Sequence, residues 1–201
     1  VTVICSDKTG TLTRNEMTVR EVVAGAARFQ VTGGGYAPHG EFHLVAGDGV
    51  ETLIADVAEP PDLLPLLMAG AWCNNSRVDR KKEGEGWEVI GDPTEGALIV
   101  VAQKAQIDLS ARREEVELEI PFDSQRKAMS VVVSEESGER VMYTKGAPEG
   151  ILARCREEHR GGEVSALSDA RRREIDVANG AMAAKALRVL ALAYRPVDAS
   201  E

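Results

Sequence analysis

Asp7-Lys8-Thr9-Gly10-Thr11-Leu12-Thr13 follows the apolar run Val1-Thr2-Val3-Ile4-Cys5. The run reads as a buried strand, so Asp7 falls where strand gives way to loop, the end at which ligands gather in open α/β sheets. A short carboxylate held there can attack a phosphorus atom and carry the phosphoryl group as an acyl phosphate. Lys8 supplies positive charge beside a polyanionic leaving group, and Thr9 and Thr11 supply hydroxyls and backbone donors. Gly10 lets the backbone turn without a Cβ penalty. Asp, Thr and Gly are also ordinary turn residues, so the string taken alone leaves a plain polar turn as its other reading.

The 201 residues are 43% hydrophobic but only 4% aromatic, so Val, Leu, Ile and Ala must fill the core of one domain, or of one domain plus a fragment. A net charge of −9 argues against a general nucleic-acid or anionic-membrane binder, which needs a basic field. It also means that any site for a polyanion requires a local cationic patch. No apolar run approaches the roughly 18–20 residues that span a bilayer, and the start shows no signal-peptide pattern. With Val1 rather than Met in front, the chain is expected to be a piece of a larger protein. Cys5, Cys73 and Cys155 are far apart and odd in number, which suits reduced thiols rather than a disulfide framework or zinc site.

Along the chain, Met17 to Ala24 and Ala27 to Thr32 read as a hairpin about Gly25. Residues 33–50 hold six glycines without the terminal Lys-Ser/Thr of a P-loop, and are expected to form a mobile surface loop. His39 and His43 lie in that loop with no third ligand nearby, so a metal site is not read there. Pro61 to Asn75 has a helical pattern with Pro65 in its first turn or so and Asn74-Asn75 as its stop. Val78 to Arg80 and Trp87 to Ile90 form a short hairpin around Lys81 to Gly86. A helix follows from Pro93 to about Ala105, with Asp92 as N-cap and Glu95 placed to close a capping box. Val116 to Ile120, Lys127 to Val133 and Arg140 to Lys145 alternate as strands, the last two joined by the turn Glu135 to Gly138. Pro148 to Cys155 and Ser168 to Ala186 read as helices and Arg188 to Tyr194 as a strand. The fold class is therefore α/β of the α+β type: an antiparallel sheet flanked by helices, preceded by a fragment that belongs to something else.

The Asp7 string resembles the phosphorylation signature of the P-type ATPases, ion pumps that form an aspartyl phosphate from ATP. With all seven positions matching in order, the plain turn is set aside. Four later segments, in the same order as in that family, resemble its nucleotide-binding domain in the calcium and sodium/potassium branch. They are Gly91-Asp92-Pro93-Thr94-Glu95-Gly96-Ala97-Leu98, Pro121-Phe122-Asp123-Ser124-Gln125-Arg126-Lys127, Lys145-Gly146-Ala147-Pro148-Glu149 and Leu187-Arg188-Val189-Leu190-Ala191-Leu192-Ala193. Lys-Gly-Ala-Pro-Glu is the most specific of the four, and the resemblance covers nearly the whole chain.

The resemblance implies that Asp92, Thr94, Glu95, Phe122, Lys127, Lys145, Gly146, Arg188 and Leu190 contact ATP. Several of these have independent chemical reasons. Phe122 sits among polar residues, where an exposed ring can stack on a base. Glu95 could accept from the adenine amine, although the capping box already accounts for a glutamate there. Lys127 and Lys145 stand at the same end of one hairpin and make the cationic patch that the acidic background requires. Gly146 would let the backbone come close to a ligand, and Arg188 could fork onto a phosphate. Some relatives carry Arg where this chain has Ser124; that leaves open whether Ser124 or Arg126 meets a phosphate.

Carried over residue by residue, the family implies Asp7 as nucleophile with Lys8 and Thr9 beside it, and Mg²⁺ held by Asp7 and Thr9 together with a phosphorylation domain lying elsewhere. Residues 1–16 would be a fragment of that domain and 17–201 the nucleotide-binding domain. The parent would be an integral membrane protein with this piece on its cytosolic side, partnered by phosphorylation, actuator and transmembrane domains. Nucleic acid is not an expected partner, and calcium is weakly favoured as the transported ion. The rivals are a soluble aspartate-nucleophile phosphatase and a non-catalytic nucleotide-binding module.

Overall fold

The computed structural model describes residues 16–81, 85–110, 116–134 and 138–198. The Val1–Cys5 strand and the Asp7 string lie outside the described residues, as do most of the Glu135–Gly138 turn and the middle of the Lys81–Gly86 loop.

The first sheet begins with β1 (Glu21–Ala24) and β2 (Ala27–Val31), a hairpin in which Ala24 faces Ala27 across Gly25 and Ala26. Gly25 turns there at φ +56°, where a Cβ would be strained. Period-two alternation buries Val22, Ala24, Phe29 and Val31. The glycine cluster at residues 33–50 is not simply a surface loop: it carries β3 (Phe42–Val45), and β4 (Glu51–Ile54) follows, giving the order β1-β2-β3-β4. Phe42 lies in the core at 2% exposure. The stretch before it is closed at its base, with Thr32 N donating to Glu41 O and Glu41 N to Thr32 Oγ1. The buried Lys104 ammonium donates to Thr32 O at 2.7 Å. Glycine dilutes the apolar alternation here, which is why the strand is hard to read from sequence.

Helix α1 (Leu63–Trp72) is apolar on every side, as a helix inside a core must be. Leu63 and Leu67 pack on the first sheet, Ala69 and Cys73 on the second, and Ala71 against the next helix. The chain then forms the hairpin β5 (Arg77–Arg80) and β6 (Trp87–Ile90) and helix α2 (Pro93–Lys104). The second sheet follows with β7 (Val116–Asp123), β8 (Ala128–Ser134) and β9 (Arg140–Gly146), then α3 (Pro148–Leu152). A further hairpin, β10 (Glu157–Arg160) and β11 (Glu163–Ala166), escapes sequence reading because each strand is short and β10 carries no apolar residue. Helix α4 (Asp169–Ala183) leads to β12 (Ala191–Val197), which begins three residues later than Arg188, the expected start. The left-handed Ala186 (φ +59°) ends the helical run, and residues 187–190 cross to the sheet before pairing begins. The second sheet is antiparallel throughout, in the order β12-β9-β8-β7.

The β10–β11 hairpin is tied down by Asp62. This residue stands at the N-cap of α1, but its side chain makes no cap bond. Instead one carboxylate oxygen pairs with His159 Nδ1 at 2.9 Å and accepts from Gly162 N, and the other accepts from Gly161 N. Burial pushes this carboxyl up, but the Gly162 and Gly161 amides and the His159 ring outweigh burial and hold it below the ordinary carboxylate range. A depressed folded-state pKa gives stability that is complete above the unfolded value and is lost as pH falls through the folded one. Asp62→Ala is expected to cost about 1–3 kcal/mol in urea unfolding at pH 7, with the gap to the parent chain narrowing below the ordinary carboxylate range. An equal gap at neutral and acid pH contradicts this role.

Candidate functional site

The register of the second sheet gathers the predicted residues at one end. Asp123, Ala128, Gly146 and Ala191 pair in a single row across β7, β8, β9 and β12. That row sets Phe122 and Lys127, on either side of the β7–β8 turn, beside Lys145 and Gly146 at the end of β9. Leu190 immediately precedes β12 at the same end.

Lys145 continues the buried face of β9 after Val141 and Tyr143, flanked by Met129 on β8 and Leu192 on β12. An ammonium on this face must find partners. It donates to Cys73 O at 2.5 Å, just past the end of α1, and to Glu95 Oε1 at 2.6 Å, in the first turn of α2. The side chains of the pair are only 9% and 15% exposed. The other Glu95 oxygen accepts from Asn75 N at 3.0 Å and lies 3.3 Å from Ser76 Oγ. Stability alone does not demand an ion pair here. Deleting one partner of a buried pair is costly, but replacing both with apolar groups is often neutral.

The expected capping box is therefore only half formed. Asp92 caps α2, accepting from Thr94 N at 2.8 Å and Glu95 N at 3.1 Å. Glu95 does not reach back, because a charged donor held out of water outcompetes a neutral amide for its carboxylate. Burial pushes the Asp92 carboxyl up, but the Glu95 and Thr94 amides, the Thr94 hydroxyl and the Arg188 charge hold it below the ordinary range. Arg188 is thus within electrostatic reach of the α2 N-terminus. It is exposed and precedes β12 rather than opening that strand.

Phe122 is 64% exposed. It lies within β7 rather than in a loop, but at the register break between Ile120 and Asp123 on an edge strand, so nothing covers the ring from the sheet side. Asp123 builds the turn that follows, its Oδ1 accepting from Gln125 N and Arg126 N and its carbonyl from Lys127 N. Lys127 is exposed and left-handed at φ +49°, a conformation that costs a residue with a Cβ roughly 1–2 kcal/mol. Ser124 is exposed in the turn. The Arg126 guanidinium folds back onto Ala128 O and Ser130 Oγ, and Ser130 lies on the face opposite Lys145. Gly146 has an internal reason to be glycine: a Cβ there would lie 2.5 Å from Lys127 O. The Lys127 carbonyl also accepts from Ala147 N, so this close approach locks the β7–β8 turn to β9.

A cavity of about 1140 Å³ runs under α4 toward the β1–β2 hairpin, walled by Leu66, Leu98, Ile151, Met182 and Leu192 among others. Of the predicted residues it shares Thr94, Arg188 and Leu190 but not Glu95, Phe122, Lys127 or Lys145. Volume does not mark the site here. Mostly apolar walls offer few partners to a polyanion, whereas the sheet end converges two ammoniums, a carboxylate and an exposed ring. Sequence reading missed Cys73 O, Asn75, Ser76 and Glu119, which holds the Asn75 side chain at 2.7 Å. Asn74-Asn75 marks a helix stop in sequence, and only the burial of Asn74 and Ser76, at 6% and 0% exposure, reveals more. Asp7, Lys8 and Thr9 lie outside the described residues.

Comparison with known proteins gives the family. The family described as P-type ATPase, cytoplasmic domain N, matches residues 62–201. A calcium-transporting ATPase of Bacillus subtilis is 39% identical over 201 residues, covering 99% of this chain and 22% of that protein. The cation-transporting ATPase pma1 of Synechocystis is 40% identical, covering 98% of this chain and 21% of that protein. Calcium-transporting ATPase type 2C member 1 of Bos taurus is 35% identical over 96% of this chain and 20% of its own length. The chain thus spans about a fifth of the length of these relatives. Among its described residues, no helix is long and apolar enough to cross a membrane. These matches make the chain a member of the P-type ATPases, and its antiparallel sheets with few helices are the fold of their nucleotide-binding domain N.

Proposed function

We propose that this chain binds ATP at the β7–β9 sheet end and serves a P-type cation pump that passes the γ-phosphate to Asp7. The observation that carries the reading is the convergence of an exposed Phe122 with Lys127 and the Glu95–Lys145 pair on one edge of a protein of net charge −9. Adenine stacks on Phe122, the Glu95 carboxylate accepts from its amine, and Lys145 and Gly146 bound the pocket floor. Asp92 and Thr94 hold the start of α2, Lys127 and Arg188 supply charge toward the phosphates, and Leu190 completes the wall. The parent pump is cytosolic at this domain and membrane-embedded elsewhere, working with phosphorylation, actuator and transmembrane domains. Calcium is the first ion to test, given the names of two of the relatives quoted above.

A pocket that grips mainly the base and meets the phosphates only with the exposed charges of Lys127 and Arg188 binds modestly, about −4 kcal/mol or millimolar. Bound Mg²⁺ neutralises phosphate charge during transfer. Mg²⁺ would be held by Asp7 and Thr9 together with the phosphorylation domain, as the family resemblance implies. Phosphoryl transfer also needs the nucleophile in line with the γ-phosphate.

Two measurements test the reading. Calorimetric titration of ATP into Phe122→Ala should show a loss of about 1–3 kcal/mol relative to the parent chain; unchanged affinity removes the stacking role. With γ-labelled ATP and Mg²⁺, the full-length protein should gain an acid-stable, hydroxylamine-labile phosphate that Asp7→Asn abolishes, while the 201-residue chain stays unlabelled. Stoichiometric labelling of the short chain would instead favour a self-contained aspartate-nucleophile phosphatase.

A further inference from the structure

Glu95 can read the base only if its carboxylate is held in one orientation. A glutamate has three rotatable bonds, and an unrestrained carboxylate can swing toward water or toward the helix end it was expected to cap. Here one oxygen is taken by Lys145, and the other is met by Asn75 N and Ser76 Oγ. Both come from the short connection between α1 and β5, which is itself fixed. Ser76 is fully buried, its amide donates to Asn74 Oδ1, and its hydroxyl lies within hydrogen-bonding distance of Asp92 O as well as Glu95. Gly91, at φ +126°, makes room for it, since a Cβ there would lie 2.3 Å from Ser76 Oγ. Asn74 donates to Glu95 O, so the same connection holds the Glu95 backbone. On the other side, the Asn75 amide donates to Glu119 on β7, the strand that carries Phe122.

We infer that Asn75 and Ser76 are positioning residues for base specificity: they bracket the carboxylate of Glu95 on one side and the Phe122 strand on the other, and so set the preference for a 6-amino over a 6-oxo purine. The inference rests on the adenine reading of the site. A 6-amino group donates to a fixed carboxylate oxygen. A 6-oxo group presents an acceptor to that oxygen, and the mismatch costs binding only while the carboxylate cannot turn away. Freed from Ser76, Glu95 can rotate to relieve the repulsion, so discrimination falls further than affinity for the correct base. Neither residue need touch the nucleotide.

The test compares ATP with ITP, which presents a 6-oxo group in place of the 6-amine, and with inorganic tripolyphosphate, by calorimetry on the 201-residue chain. The parent chain should prefer ATP over ITP. Ser76→Ala should cut that preference at least three-fold while leaving tripolyphosphate affinity unchanged, a pattern that general loosening of the fold does not produce. Should Ser76→Ala fail to fold, Ser76→Cys, which keeps a side chain there but donates only weakly, decides the question with the same expected narrowing. A parent chain that prefers ATP, with a folded variant that keeps the full preference, overturns this inference alone. A parent chain that binds ATP and ITP equally overturns the reading of Glu95 and this inference with it.

Discussion

The contact between Lys145 Nζ and Glu95 Oε1, 2.6 Å in a largely dry environment, joins parts of the chain fifty residues apart and decides how the site is built. Lys145 ends the buried face of the central strand pair, and Glu95 opens the helix that packs beside α1. The Cys73 carbonyl, third member of the contact, ends α1 itself. One ammonium therefore ties both helices to the second sheet. Burial and the polar contacts of this corner also reach Cys73: desolvation pushes its thiol up to about 11, despite the opposing charge of Lys145. Such a thiol is a small apolar wall element rather than a nucleophile.

A buried pair of this kind is poor evidence for stability and better evidence for a task. The lone partner of a broken pair is expensive, but an apolar pair of the same volume would serve the core as well. What charges provide in a partly dry pocket is discrimination, because donors and acceptors held without water penalise a mismatched ligand. The surrounding sheet end supplies what the pair lacks. Phe122 offers an exposed face, and Lys127 is held in a left-handed turn by Asp123 while the Gly146–Lys127 approach fixes its carbonyl. Arg188 lies near enough to the α2 N-terminus to lower the Asp92 pKa. Positive charge is thus focused locally on an acidic molecule.

Much of this arrangement is legible in the residues, for reasons that differ from element to element. Asp92-Pro93 announces α2 through cap chemistry alone and β9 announces itself by alternation, whereas β8, expected to alternate, is buried on both faces from Ala128 to Val133 as a central strand. The grouping of Lys127 with Lys145 needs only the hairpin between them, and the observed register, Ala128 opposite Gly146, puts both at its open end. The failures are equally physical. β3 hides among glycines, and β10 and β11 hide because each is only four residues long and neither buries an apolar face. β12 starts late because residues 187–190 are spent crossing to the sheet. Glu95 satisfies a local rule, the capping box, that a long-range charge overrides. Asn75 reads only as part of a helix stop and Ser76 gives no signal at all, because their importance lies in what the fold brings to them, which no local pattern encodes.

Amide chemical-shift mapping during ATP titration tests the central claim most directly, since it asks where the nucleotide goes without presuming a residue. The account predicts perturbations concentrated at residues 92–96, 122–127, 145–147 and 188–190, on the sheet end organised by Lys145 and Glu95. Perturbations confined to residues 33–49 or to the cavity beneath α4, with that sheet end silent, would contradict it.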